Sequence, residues 1–338
     1  MTIQNNIAGK LISIGFGHII SKCAIIAAEH QLDEILSDQP ISISEMAKIL
    51  NFTVEGTTKF IRVLDMLELV TLRGDSITAS ELTPHLNYFL GIHIADGYAA
   101  IDQLETTLKD KTSSWQAHYG KTFYEYLDSN PEKSQTFTDW CEKTADAWLT
   151  TIFPLYDFSA YNTIVDMAGG NGELLSMILT RNPHIRGILF EQPNVIEQAK
   201  KQWAGSEISK RLSYCPGNFF TNAPTEGDLY IISRALLNWN DAACIRIINQ
   251  CYDHMPKDSK LLIIDFFLSE KNHASYFGFA LSDINLHATM LGSNRTKQEW
   301  MDLLQKTQFQ SNFVYSSNEE NGSTLPICLV EATKLFGK

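Results

Sequence analysis

Apolar and polar positions alternate differently in different parts of this chain, and the change of rhythm marks the domains. Near the start, "LISIGFGHIISKCAIIAAEH" places apolar residues at helical spacing. His18, Ser21 and Lys22 interrupt the run before it reaches the ~18 residues of a membrane span, and Lys10 alone would serve as a basic leader region. The stretch is therefore expected to be an amphipathic helix packed on a partner surface. Over residues 41–83 the pattern predicts a short helix capped by Ser44, a turn at Asn51-Phe52-Thr53 and a second helix from Val54 to Leu67. An alternating hairpin around Gly74-Asp75 comes next. That order is a winged helix. Its second helix sets Lys59 and Arg62 against Glu55, Asp65 and Glu68, so it lacks the basic face that nucleic acid requires. Dimerisation is the expected use.

From about residue 90 to 155 the pattern is helical and rich in aromatic residues, among them Trp115, Tyr119, Phe123, Phe137 and Trp140, most of which suit a core. A minority suit the wall of an apolar pocket for a flat ligand. After residue 160 short apolar runs alternate with helical stretches. Strands are expected at 163–168, 186–191, 212–215, 228–232, 260–266, 309–315 and 325–331, the last two forming an antiparallel hairpin across "SSNEENGST". The expected fold class is α/β: a doubly wound, seven-stranded Rossmann-like domain behind a mostly helical N-terminal domain. The expected boundaries are 1–105 for the winged-helix dimerisation domain, 106–155 for connecting helices that contribute to the substrate pocket, and 156–338 for the Rossmann-like domain.

Composition narrows the function. A chain of 338 residues with 44% hydrophobic and 20% charged residues has the make-up of an ordinary globular protein, and a net charge of -12 disfavours nucleic acid. The six cysteines include no C-x-x-C pair, and with no leader evident the expected location is the cytoplasm, with the thiols reduced. No H-E-x-x-H, Cys/His cluster or acidic triad points to a metal.

The chemistry gathers in "NTIVDMAGGNGELL", where an expected strand runs through Gly169, Gly170 and Gly172 into a helix. The dinucleotide fingerprint needs a third glycine, which is missing here. Asp166 and Glu173 would also repel a pyrophosphate. The same acids favour a ligand with an amino group and a cationic centre, such as S-adenosylmethionine. Glu191 ends the next strand about 20 residues on, where an acid accepts from ribose hydroxyls.

With "VDMAGGNGELL", "LFEQPNVI", "PGNFF", "SRALLNWND" and "GSNRTKQEWMDLLQKTQF" in this order, nearly the whole chain resembles S-adenosylmethionine-dependent O-methyltransferases of the hydroxyindole, caffeate and bacterial polyketide type. The resemblance implies that Asp166 and the glycines hold the methionine part of the cofactor and that Glu191 with Gln192 holds the ribose. It further implies that Asn218-Phe219 flanks adenine and that Ser233 or Arg234 lies at the cofactor edge. Relatives carry a His-Asp pair before the tryptophan, where this chain has Leu237-Asn238 before Trp239, and their supporting Glu is Asn294 here. The usual general base is absent, so Asn238 and His287 are the catalytic candidates. His118, Tyr119, Trp140, Cys141, Asp283 and Asn285 are the candidates for the substrate pocket. "LLNW" resembles the subgroup that includes carminomycin 4-O-methyltransferase and aclacinomycin-10-hydroxylase. The implied reaction is methylation of a phenolic hydroxyl on a polycyclic aromatic, of anthraquinone or polyketide type, by a metal-independent homodimer. A SAM-binding hydroxylase or decarboxylase of the same fold is the alternative, and a SAM-sensing regulator is a third reading that the acidic second helix opposes.

Overall fold

The computed structural model describes residues 10–36, 39–86, 92–268, 275–316 and 327–334. The chain divides into two compact units, Met1–Ala99 and Ala100–Lys338.

In the first unit, helices Gly17–Glu29 and Leu32–Ile35 precede a helix–turn–helix of Ile43–Leu50 and Val54–Met66. The first of that pair is capped by Ser42, not by Ser44. Ser42 is the residue in extended backbone with a glutamate three positions on, and it and Glu45 form a reciprocal capping box. Asn51 turns the chain with φ of 55°, and Thr53 caps the second helix through Gly56 N–H. β1 (Ile41–Ser42) adds antiparallel to β3 (Ser76–Ala79), which forms the expected two-residue hairpin with β2 (Val70–Arg73). Ala27, Leu32, Met46, Ile61, Leu64 and Ile77 make the core of the unit. The start of the chain is amphipathic only in part. Ala24, Ile25, Ala27 and Ala28 are buried, while Leu11, Ile12, Ile14 and Phe16 are more than half exposed.

The second unit is built on one seven-stranded sheet. Its strands are β4 (Thr163–Met167), β5 (Arg186–Glu191), β6 (Leu212–Pro216), β7 (Leu229–Ser233), β8 (Lys260–Phe266), β9 (Phe309–Ser316) and β10 (Ile327–Lys334). They lie in the order β6-β5-β4-β7-β8-β10-β9. β4 to β8 pair in parallel, and β10 runs antiparallel between β8 and β9. The antiparallel strand is thus next to the edge, with β9 returning outside it. The "SSNEENGST" connection falls mostly in 317–326, outside the described residues.

Side chains of successive strand residues point to opposite faces, and the sheet carries a core on each. Ile164, Leu189, Ile231 and Leu329 pack with Leu175, Ile178 and Ile196 on one face. Val165, Phe190, Ile232 and Val330 pack with Ile247, Ile248 and Trp300 on the other. Strands buried on both sides cannot alternate apolar with polar residues, so "LYIIS" and "KLLIID" read as continuous apolar runs. Because β4 neighbours both β5 and β7, the chain reverses its winding beside β4, and the carboxyl ends of these strands open a crevice there.

Candidate functional site

A cavity of about 590 Å³ opens at that switch point. One part of its lining comes from strand ends: Asp166 with the Ala168–Asn171 loop after β4, Glu191 and Gln192 at the end of β5, Gly217 to Phe220 after β6, and Ser233 and Arg234 at the end of β7. The other part comes from helices Phe123–Asp128 and Pro131–Ile152 and from the short turn at Asn238-Trp239.

The glycine loop is tight for a steric reason. A Cβ on Gly169 would stand 2.5 Å from Asp166 Cγ and 2.6 Å from Leu189 Cδ1. Gly170 and Gly172 hold φ of 59° and 88°, which only glycine adopts without strain. Gly170 N–H donates to Glu191 Oε2 at 3.2 Å, and Trp203 Nε1 donates to Asn171 O at 2.6 Å, so neighbouring elements tie the loop from both sides. Gly172 caps the helix Glu173–Arg181 and faces Leu189 rather than the cavity.

Asp166 is 1% exposed, and neither carboxylate oxygen has a hydrogen-bond partner among the described residues. Burial, and after it the charge of Glu191, pushes its pKa from 3.8 up to about 7. Burial also raises Glu191, against the lowering effect of the N–H groups of Gln192 and Gly170. Ser233 Oγ is likewise buried without a partner. An orphaned buried carboxylate beside a second acid is costly unless a cationic donor meets it. An ammonium group next to a positive centre fits this arrangement, and a diphosphate does not.

The Leu236–Asn238 turn is braced from beneath. Asp265 Oδ2 accepts from Leu237 N–H at 3.1 Å, and burial raises the Asp265 carboxyl to about 7 against its N–H donors and Arg295. Arg295, 2% exposed, donates to Trp239 O at 2.8 Å and to Asp241 Oδ1 at 2.9 Å. Gly292 lies so close that an added Cβ would stand 2.2 Å from Leu237 O. The turn presents Asn238, whose Nδ2 donates to the Tyr124 hydroxyl at 3.0 Å, and Trp239, which stacks on the Tyr124 ring at 5.4 Å and 12°. Burial holds the Tyr124 hydroxyl well above its usual range and therefore neutral.

Of the residues singled out from the sequence, the cavity gathers Asp166, Gly169, Gly170, Glu191, Gln192, Asn218, Phe219, Ser233, Arg234, Asn238 and Cys141. It does not gather the others. His118 is exposed, and Tyr119 packs on Trp115 and Tyr126 at 4.8 Å from each. Trp140 lies one position off the helical stripe Ser134, Phe137, Thr138, Cys141 that faces the cavity. Asp283 Oδ1 instead takes Asn294 N–H at 2.6 Å and Ser293 Oγ at 3.1 Å, closing the loop beneath the turn. Asn285 is exposed, and His287 on the same helix is half-buried without lining the cavity. Tyr124, Asp128, Phe137 and Trp239 are lining residues that the sequence did not single out, although Phe137 stood among the aromatic residues read mainly as core. Among the described residues no group of three or more His, Cys, Asp or Glu is placed to hold a metal ion, and no helix is long and apolar enough to cross a membrane.

Residues 101–310 match the family model of the O-methyltransferase domain. A phenazine O-methyltransferase from Lysobacter antibioticus is 26% identical over 325 residues, covering 90% of this chain and 94% of its own. An aclacinomycin 10-hydroxylase from Streptomyces purpurascens is 29% identical over 327 residues, covering 91% and 85%. The human N-acetylserotonin methyltransferase, solved in complex with S-adenosylmethionine, shares the fold with a TM-score of 0.80 at 18% identity, covering 99% of this chain and 98% of that one. The match over residues 101–310 makes this chain a member of the O-methyltransferase domain family and an S-adenosylmethionine-dependent O-methyltransferase.

Proposed function

We propose that the chain methylates a phenolic hydroxyl of a polycyclic aromatic secondary metabolite of anthraquinone or polyketide type, mainly by placing the reactants in line. The observation that carries the reading is the cavity itself. It joins a cofactor cradle of orphaned Asp166, Glu191 and the glycine loop to a wall of Tyr124, Phe137 and Trp239 suited to a flat ring system. In this reading Asp166 and the loop receive the amino acid end of the cofactor, Glu191 the ribose and Asn218-Phe219 the adenine. S-adenosylmethionine supplies a methyl group on a sulfonium, a leaving group that needs no acid.

The phenol must lose a proton, and among the described residues the lining holds no histidine or lysine to take it. Leu237 stands where the resembled family's pattern places a histidine, and Asn238 is engaged with Tyr124 as a hydrogen-bond donor. A general base contributes about 10²–10⁴-fold, whereas placement reaches effective molarities on the order of 10⁵–10⁸ M. Placement therefore outweighs the missing base, and water or the acidity of a carbonyl-conjugated phenol accounts for the proton. We assign the helices of residues 106–155 to the acceptor side of the cavity and the winged-helix region to homodimer formation. For the latter the support is the exposed Leu11, Ile12, Ile14 and Phe16. The Leu237-Asn238-Trp239 segment supports a place with the carminomycin 4-O-methyltransferase and aclacinomycin-10-hydroxylase subgroup.

Incubation with S-adenosylmethionine and a panel of hydroxylated fused-ring aromatics, with the products read by mass spectrometry, tests the proposal. A gain of one methyl supports it. A product that gains oxygen or loses CO₂ without the methyl refutes it.

A further inference from the structure

The lining of the cavity carries opposite demands in its two parts. At the strand ends and the helix start after β4, Asp166, Glu173 and Glu191 face the cavity, and among the described residues the cation there is Arg234. Arg234 sits at the end of β7 with φ of 51°, and its guanidinium lies 5.3 Å from the centre of the Phe266 ring. In the helical part the charged group among the described residues is an acid, Asp128, exposed at the end of the helix Phe123–Asp128. The same part is lined by Tyr124, Phe137 and Trp239, together with the neutral side chains of Ser134, Thr138 and Asn238.

An acceptor that carried a carboxylate into this part would give up water, meet no cation among the described residues there, and face Asp128 in a site that already holds Asp166 and Glu191. A basic amine would meet the opposite conditions: a carboxylate at the rim and the negative faces of aromatic rings. Tyr124 does not change this balance, because its hydroxyl is neutral and held by Asn238.

We propose that the acceptor is an aromatic phenol without a carboxylate, and that Asp128 and the aromatic wall favour one bearing a basic amine. The inference rests on the reading of this cavity as the site of phenol methylation and adds the charge class of the substrate.

Three hydroxynaphthalenes that differ at one position, carrying a carboxylate, a carboxamide or an aminomethyl group, test it. Their affinities are measured calorimetrically on the full chain loaded with S-adenosylhomocysteine, and kcat/KM is measured with S-adenosylmethionine. The carboxamide should bind at least about tenfold more tightly than the carboxylate, with the amine at least equal to the carboxamide. Asp128→Asn should reduce the amine-to-carboxylate ratio several-fold, and Asp128→Lys should bring it to unity or below. A carboxylate that binds as well as the carboxamide overturns the proposal. So does a failure of amine and carboxamide to bind, or a ratio unmoved in both Asp128 variants while their melting temperature and S-adenosylhomocysteine affinity match the parent. If the charge order holds but no compound gains a methyl, the methylation reading fails and the charge selectivity stands.

Discussion

In the cofactor-free protein, Asp166→Asn should raise stability at alkaline pH and, in the same variant, weaken S-adenosylmethionine binding. Among the described residues Asp166 is buried without a hydrogen-bond partner, and its pKa rises from 3.8 to about 7, first through burial and then through Glu191. A raised carboxyl pKa means that the folded chain keeps a proton the unfolded chain has already released. The side chain's contribution to stability is therefore intact below the unfolded pKa of 3.8 and is lost as pH rises through about 7. At about 1.4 kcal/mol per pH unit, full ionisation costs the fold roughly 4 kcal/mol as an upper limit, with about 1 kcal/mol already lost at about pH 4.5. An amide has nearly the same shape and does not titrate, so its own burial adds an offset independent of pH. The unfolding free energy of the variant minus that of the parent should therefore grow by about 3 kcal/mol between about pH 4.5 and pH 8, read from urea titrations. Losing a charge-assisted hydrogen bond to the cofactor's ammonium, worth about 1.5–3 kcal/mol, should lower its affinity by about 10- to 100-fold at about pH 8. A stability difference that stays flat over this range, or an unchanged cofactor affinity, would refute the account of Asp166 as an orphaned acid awaiting a cation.

The turn that presents Asn238 should be as sensitive from below as from the cavity. Gly292→Ala drives a methyl group into Leu237 O, so kcat should fall by an order of magnitude or more with S-adenosylmethionine affinity little changed; normal kcat would mean that the turn yields without displacing Asn238. Asn238→Ala and His287→Ala should each cost less than the roughly 10²–10⁴-fold of a general base, while Phe137→Ala in the wall should cost as much or more; a loss of about 10³-fold in His287→Ala, with fold and cofactor binding intact, would show that the base has moved there. Glu191→Ala should weaken S-adenosylmethionine binding in calorimetry, and an unchanged affinity removes Glu191 from the ribose role. Deleting residues 1–30 should convert a homodimer to monomer or aggregate by light scattering, and a well-behaved dimer after that deletion would count against the assignment of the N-terminal helix.

The inner strands β4, β7 and β8 are legible because each is a short, largely apolar run, a pattern dictated by burial on both faces and bounded by turn residues. The same local rules expose the glycine loop, since positive φ at Gly170 and Gly172 needs glycine whatever packs nearby. Asp166 and Glu191 are legible for a related reason: both sit at strand ends, and parallel strands bring their carboxyl ends together. The helix cap lies two residues before the expected Ser44 because Ser42, unlike Ser44, has a glutamate three positions on to close the capping box.

What lines the acceptor side belongs to tertiary structure. Tyr124 meets Asn238 across 114 positions of sequence, and no local pattern carries that pairing. Phe137 rather than Trp140 faces the cavity because the packing of the helix Pro131–Ile152 sets which stripe turns inward, and either aromatic satisfies a helical period. Asp283 looks like a pocket acid until the fold brings Ser293 and Asn294 to it. The sequence by itself determined the sheet, the loop and the acids of the cofactor cradle, because those arise from local conformation and burial. Only the tertiary structure decided which side chains meet across the cavity and left Asp166 without a hydrogen-bond partner among the described residues, because such contacts depend on how separate elements pack.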